Sequence, residues 1–281
     1  MASGSHTEGR TDNSDPLPIF VCILAVLCAI SAFHCGGTTG TTKPALPSAP
    51  PAAEKPRLPD ITVQMASLDL SGLRKRVELP DIDTLSQILD RMKIDILSVQ
   101  GVTRYPDVST RVDFVDEIAV RSHMRQVFGE TITVSGRETG NAVFSIYPAH
   151  PAGNTRYQGL RSPAFASALQ AVVDCGAREV VIVSTRIPDK ASIEDQTTCA
   201  NQLGSMSILY MNQPMIVAGN LPRSEDLRKM EAFQEAPQSR SEQVPRLWFS
   251  KDGSLSLGKS HVERTPLGQM LVAEFGVFRA K

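Results

Sequence analysis

Short apolar runs bounded by polar or turn-forming residues recur from residue 60 to the C-terminus. Examples are 61–68 (ITVQMASL), 94–99 (IDILSV), 179–187 (EVVIVSTRI) and 214–219 (PMIVAG). Apolar runs of about four to eight residues between turn signals predict strands, whereas an apolar stripe at helical spacing predicts a helix. By that criterion helices are expected at 84–92, 113–128, 163–175 and 193–209, with Asp83 and Ser192 placed to cap two of them. The stretch 234–243, rich in Glu, Gln and Ser, predicts a loop before the final strands. Strands alternating with helices define an α/β domain.

The first sixty residues follow another pattern. Residues 17–35, LPIFVCILAVLCAISAFHC, form an uncharged apolar run of the length a membrane-spanning helix needs. The 1–16 leader is polar, carries Glu8, Asp12 and Asp15, and has Arg10 as its one positive residue. Ala29-Ile30-Ser31 offers a small-residue cleavage pattern, but so long and acidic a leader suits a retained signal anchor better than a cleaved peptide. Cys35, preceded by Phe33 and His34, does not form a lipoprotein box. Residues 36–59 are rich in Pro, Thr and Ala and predict a semi-extended spacer. The expected organisation is therefore leader 1–16, transmembrane helix 17–35, linker 36–59 and one domain over 60–281.

Composition narrows the function classes. A hydrophobic fraction of 41% supports a real core, and a net charge of -1 provides no broad basic surface for duplex nucleic acid. Four tyrosines and one tryptophan leave little for base stacking. Both points count against nucleic acid as a partner. Of the five cysteines, Cys175 and Cys199 fall in the domain; they are expected as buried thiols, with a disulfide between them as the alternative after export.

Six segments, in order, resemble the endonuclease/exonuclease/phosphatase superfamily. ITVQMASL (61–68) stands where the family has its first core strand, with Ser67 in place of an asparagine. IDILSVQGV (94–102) is similar to "DIIGLQEV", with Gly101 in place of the metal-binding glutamate. GNAVFSIYP (140–148) is similar to "GNAILSRYP", and EVVIVSTRI (179–187) to "V.V.NTHL", with Arg186 for the histidine. PMIVAGNLP (214–222) resembles "PVILAGDFN", with Asn220 and Pro222 for its aspartate and asparagine. PLGQMLVAEF (266–275) resembles "SDHRPVVAEF", with Leu267 and Gly268 for the aspartate–histidine pair. Residues 246–249 (RLWF) resemble the "RIDYIF" strand.

The resemblance implies a four-layer α/β sandwich of two mixed β-sheets flanked by helices, with Ser67, Gly101, Arg186, Asn220 and Gly268 converging on one cleft. It also implies metal-assisted phosphodiester chemistry, in which a carboxylate-bound divalent ion polarises the phosphate while a histidine and an aspartate activate water. Here those groups are replaced: glycine at 101 has no donor, Leu267 and Gly268 cannot orient or accept a proton, and Asn220 is neutral. Catalytic groups that act as a unit fail together, so no catalytic residue is expected to be intact. Arg186 and Asn220 are the anion-binding candidates. Asp69, two residues beyond Ser67 and on the same face of an extended strand, is the candidate displaced metal ligand, against a reading as a turn aspartate before Gly72. Asp107, Asp113, Asp116 and Glu117 suit a loop and helix start; His123 suits a packed or surface position in its amphipathic stretch, His150 a turn between prolines, and His261 a position just before the last strand.

These readings favour a membrane-anchored, catalytically inactive domain acting as a binding or scaffolding module. No cofactor is expected; its partners are the membrane, through the N-terminal helix, and an unidentified protein or anionic ligand. The alternative is an active phosphodiesterase using Mg or Mn with relocated ligands, and a third reading is a purely structural envelope protein. Lys43, Lys55 and Arg57 against Arg10 would leave the domain cytoplasmic by positive-inside counting. The tether and the resemblance instead imply export, which takes precedence.

Overall fold

Alternation along the strands decides the layering. In β1 (Ile61–Asp69) Val63 and Met65 face one way while Ala66 and Leu68 face the other, and all four are buried. A strand with two apolar faces must lie inside a layered structure. The computed structural model describes residues 57–73, 77–105, 113–161, 166–187, 191–210, 213–221, 233–236 and 245–280. The leader, the apolar run, most of the linker, Asp107 and Pro222 lie outside the described residues.

The chain from β1 runs into α1 (Leu79–Met92), β2 (Ile96–Arg104), α2 (Phe114–Arg121), β3 (Arg125–Val134) and β4 (Arg137–Ser145). It continues through β5 (Ala149–Arg156), β6 (Ser167–Asp174), β7 (Glu179–Arg186), α3 (Ile193–Leu209) and β8 (Met215–Asn220). It closes with β9 (Phe233–Glu235), β10 (Arg246–Ser250), β11 (Leu255–Thr265) and β12 (Gly268–Val277). One six-stranded sheet has the order β11-β12-β1-β2-β4-β3 and the other β5-β6-β7-β8-β10-β9. Both are mixed: β1 pairs in parallel with β2 and β7 with β8. Each parallel pair is bridged by a helix, α1 or α3, as a parallel connection requires.

Three apolar clusters give the layers. Val63, Ile96, Leu169, Ile182, Leu271 and Phe275 fill the space between the sheets. Ile82, Leu85 and Ile118 of α1 and α2 cover Leu97 and Val99. Leu203 and Met206 of α3 cover Val181 and Val183 on the other side. The result is a sandwich of helix, sheet, sheet and helix.

The structure corrects several expected boundaries. The helix expected at 84–92 begins earlier, at Leu79, where the Asp81 carboxylate accepts the Glu78 backbone N–H at 3.2 Å. Asp83 is therefore not its cap and instead accepts from Arg121 Nε at 2.6 Å. The 113–128 helix stops at Arg121; His123 takes a left-handed φ of 53° and β3 follows. Of the expected 163–175 helix, residues 163–165 lie outside the described residues and Ser167–Asp174 is β6, buried at every position but its last, because a central strand covered on both faces needs no alternation. His150 lies within β5, and the 234–243 loop begins inside β9. The 193–209 helix and its Ser192 cap stand as expected, with Ser192 Oγ accepting the Asp195 N–H at 3.1 Å.

Cys175 and Cys199 are free, buried thiols, so the disulfide alternative is overturned. Burial pushes both thiols up to about 12, with nearby Asp174 and Asp95 adding to the effect at Cys175 and Asp195 at Cys199.

Candidate functional site

Toward one end of the sandwich the inward-facing positions turn from apolar to polar. β1 reads Val63, Met65, Ser67 along that face; β2 reads Ile96, Ser98, Gln100; β7 reads Ile182, Ser184, Arg186. The two-residue period makes these polar side chains neighbours in the same interlayer. Ser67, Ser98, Gln100 and Ser184 are fully buried. Buried polar groups must satisfy one another, and here they do so across the two sheets.

Two carboxamides make the bridges. Gln100 Nε2 donates to Ser98 Oγ at 2.7 Å and, in the facing sheet, to Ser184 Oγ at 3.1 Å, while its Oε1 accepts from Ser67 Oγ at 3.4 Å. Ser184 Oγ in turn donates to the Val99 carbonyl at 3.3 Å. Asn141 of β4 donates through Nδ2 to the Ser167 carbonyl at 3.2 Å and its hydroxyl at 3.1 Å, and accepts the Gly101 N–H at 3.4 Å. The Ser167 hydroxyl also bonds Thr131, and its carbonyl accepts from Thr185 Oγ1 at 3.1 Å. Thr185 Oγ1 pairs with the Tyr157 hydroxyl at 2.6 Å, where burial holds that phenol well above its ordinary range.

A shallow surface depression, too slight to enclose a cavity, lies beside this network, lined by Gly101, Thr131, Thr139, Gly140, Asn141 and Arg186. Arg186 is the charged side chain among them and is half-buried. Asn220, at the end of β8, is its register partner across the parallel pair. Gly219 beside it must be glycine: its φ is 147°, and a Cβ there would overlap the Thr185 carbonyl oxygen.

The remaining sequence candidates fall as follows. Gly101 sits in an irregularity of the β2–β4 pairing between Val99 and Val102, with a left-handed φ of 67°. Pro266 and Leu267 form the tight β11–β12 turn; Leu267 is buried in the layer under α1 and α2, and Gly268 is the exposed first residue of β12, paired with Thr265. Asp69 is half-buried and accepts the Ser71 N–H at 2.8 Å. Asp113 caps α2, accepting from Val115 and Asp116 N–H at 2.9 and 3.2 Å, and Arg104 pairs with Asp113 and Asp116 at 3.2 and 3.1 Å. Glu117 pairs with Arg121. His123, His150 and His261 are exposed. Gln100, Asn141, Ser167 and Ser184 were not singled out from sequence; their signal was a polar residue inside an otherwise apolar strand.

A divalent ion does not fit these residues. Magnesium-like ions take carboxylate oxygens, and among the described residues the polar end offers carboxamides, hydroxyls, the Arg186 guanidinium and the Asp69 carboxylate, which is held by the Ser71 N–H. Among the described residues no group of three or more His, Cys, Asp or Glu is placed to hold a metal.

No family description and no curated relative matches the sequence. Solved structures do match the fold. The chain superposes on an endonuclease/exonuclease/phosphatase from Beutenbergia cavernae with a TM-score of 0.57 at 13% identity, covering 79% of this chain and 72% of that one. It superposes on the human Nocturnin catalytic domain with bound sulfate anion with a TM-score of 0.58 at 14% identity, covering 77% and 94%. For TDP2 from Caenorhabditis elegans the TM-score is 0.55 at 14% identity, covering 78% and 76%. The fold is that of the endonuclease/exonuclease/phosphatase proteins.

Proposed function

We propose that this chain is a membrane-anchored, catalytically inactive domain of the endonuclease/exonuclease/phosphatase fold that acts as a binding or scaffolding module. The observation that carries the reading is the make-up of the polar end. Among the described residues its side chains are neutral apart from Arg186 and Asp69, the Asp69 carboxylate is held by the Ser71 N–H, and its two carboxamides are committed to hydrogen bonds between the sheets. A site that polarises a phosphate and activates water needs carboxylates and a base near neutrality. Neither is supplied by Ser67, Gly101, Asn220, Leu267 or Gly268.

Arg186 and Asn220 at the mouth suit recognition of an anion, since a guanidinium and a carboxamide both donate to oxyanions. The human Nocturnin catalytic domain, of the same fold, holds a sulfate anion, which supports an anion as the ligand class. The uncharged 17–35 run supports the membrane anchor, and the Pro/Thr/Ala-rich tether supports an exported domain held off the bilayer.

The test is calorimetry on the detergent-purified chain with Mn2+ and Mg2+, alongside thermal shift with sulfate and phosphate. No metal binding up to millimolar, with a phosphate-dependent shift that disappears in Arg186→Ala, is the expected result. Saturable micromolar Mn2+ binding, with turnover of a generic phosphodiester, would sink the reading in favour of an active enzyme. An anion shift that Arg186→Ala leaves intact would remove Arg186 from the site.

A further inference from the structure

The turn that follows β1 folds back onto the cleft. Leu70 N–H donates to the Gln100 carbonyl at 2.9 Å, so the turn is tied to the residue immediately before Gly101. Leu73 N–H donates to the Leu70 carbonyl at 3.0 Å and closes the turn, while Ser71 N–H is held by the Asp69 carboxylate at 2.8 Å. Leu70 is buried, and Leu73 packs against the same apolar layer under α1 and α2, so the turn is anchored by side chains as well as by backbone. Its tip lies directly on Gly101: a Cβ built there would stand 2.9 Å from the N, Cα and Cβ of Ser71. Real Cβ atoms do not tolerate that approach, and two of the three opposing atoms are backbone, which no rotamer change relieves. The φ of 67° at Gly101 opposes a side chain independently.

Resting on the reading of the domain as catalytically inactive, we propose that the 69–72 turn is a built-in plug of the cleft. Ser71 fills the space a side chain at position 101 would need, and Asp69 is the clasp of the turn rather than a displaced metal ligand. The absence of a metal seat is then a property of the backbone path. Restoring side chains one by one does not recreate it, because the space into which a ligand at position 101 would project is occupied by the chain itself. The plug also gives the carboxylate at position 69 its role: it accepts a turn N–H, the ordinary work of an aspartate in that position.

The experiment has two arms. In the first, the full chain and a Gly101→Glu/Asn220→Asp variant are titrated with Mn2+ by calorimetry. In the second, amide exchange of Leu70 is followed in the unaltered chain. The expected result is no saturable Mn2+ binding by either protein, with the Leu70 amide protected to within about tenfold of the amides of β1 and β2. Micromolar binding by the variant alone overturns the plug and leaves the inactive reading standing. Binding by the unaltered chain overturns that reading, and the plug with it. Exchange of Leu70 at the rate of an open loop also overturns the plug. If the variant does not fold, that exchange rate decides alone.

Discussion

Replacing Gln100 by methionine keeps the volume of the side chain and removes every hydrogen bond it makes. Three are lost: donations to Ser98 Oγ at 2.7 Å and Ser184 Oγ at 3.1 Å, and acceptance from Ser67 Oγ at 3.4 Å. Ser184 keeps its bond to the Val99 carbonyl, while Ser67 and Ser98 lose their side-chain partner in Gln100 at fully buried positions. Two well-formed bonds contribute about 1 kcal/mol each, and the two stranded buried hydroxyls cost a further ~1 kcal/mol each. The apolar thioether offsets about 1 kcal/mol of this. The expected loss is about 3 kcal/mol, equivalent to roughly 6–12 °C in Tm for a domain of this size. Equilibrium urea unfolding of the two proteins reads it directly. Gln100→Glu should be worse at neutral pH, because it buries a carboxylate with no cation among its partners, and should recover as the pH falls and the acid protonates. A loss below about 1 kcal/mol for Gln100→Met would refute the claim that this carboxamide ties the sheets together.

Gly219→Ala is expected to cost more than about 4 kcal/mol, since the new methyl overlaps the Thr185 carbonyl in the β7–β8 pair. Gly136→Ala, with φ +70° and open space around it, should cost only about 1–2 kcal/mol; soluble yield and far-UV circular dichroism separate the two. The buried thiols predict alkaline sensitivity. Each has an ordinary value of 9.0 and is pushed up to about 12 in the folded chain. The folded state therefore binds more protons than the unfolded state between those limits. Stability is full below about pH 9 and falls by up to about 1.4 kcal/mol per pH unit per thiol on the way to 12. A Cys175→Ala/Cys199→Ala variant unfolded in urea at pH 8 and pH 10.5 should show the shallower fall; an unchanged slope would refute the assignment.

The fold was legible where the period was unambiguous. EVVIVSTRI and PMIVAG announce buried strands, and the 193–209 helix begins at a serine placed to cap it. Reading failed where a run buried on both faces has no alternation to reveal it: SALQAVVD has the length of a short helix and the environment of a central strand. It also failed at Asp83, because a capping residue inside an amphipathic stretch competes with a cap five residues earlier, and only the Glu78–Asp81 pairing decides between them. For the site, the substituted positions could be read one at a time, but not what surrounds them. Gly101 is a missing donor in the sequence; in the structure it is also a backbone position with Ser71 against it, a relation between residues thirty apart that no local pattern encodes.

That distinction bears on where a ligand can act. Gln100, Asn141, Ser167 and Ser184 are polar, buried and hydrogen-bonded among themselves, so a ligand that engaged them would first have to break bonds that hold the sheets together. Breaking satisfied buried pairs costs more than a comparable contact returns. Arg186, Asn220 and Thr139 are half-buried, and a ligand can reach them without opening the sandwich. Recognition is therefore expected at the mouth, governed by Arg186, while the interior network sets stability. Substitutions in the two sets should then separate: the interior should move the unfolding midpoint, and the mouth should move ligand response at an unchanged midpoint.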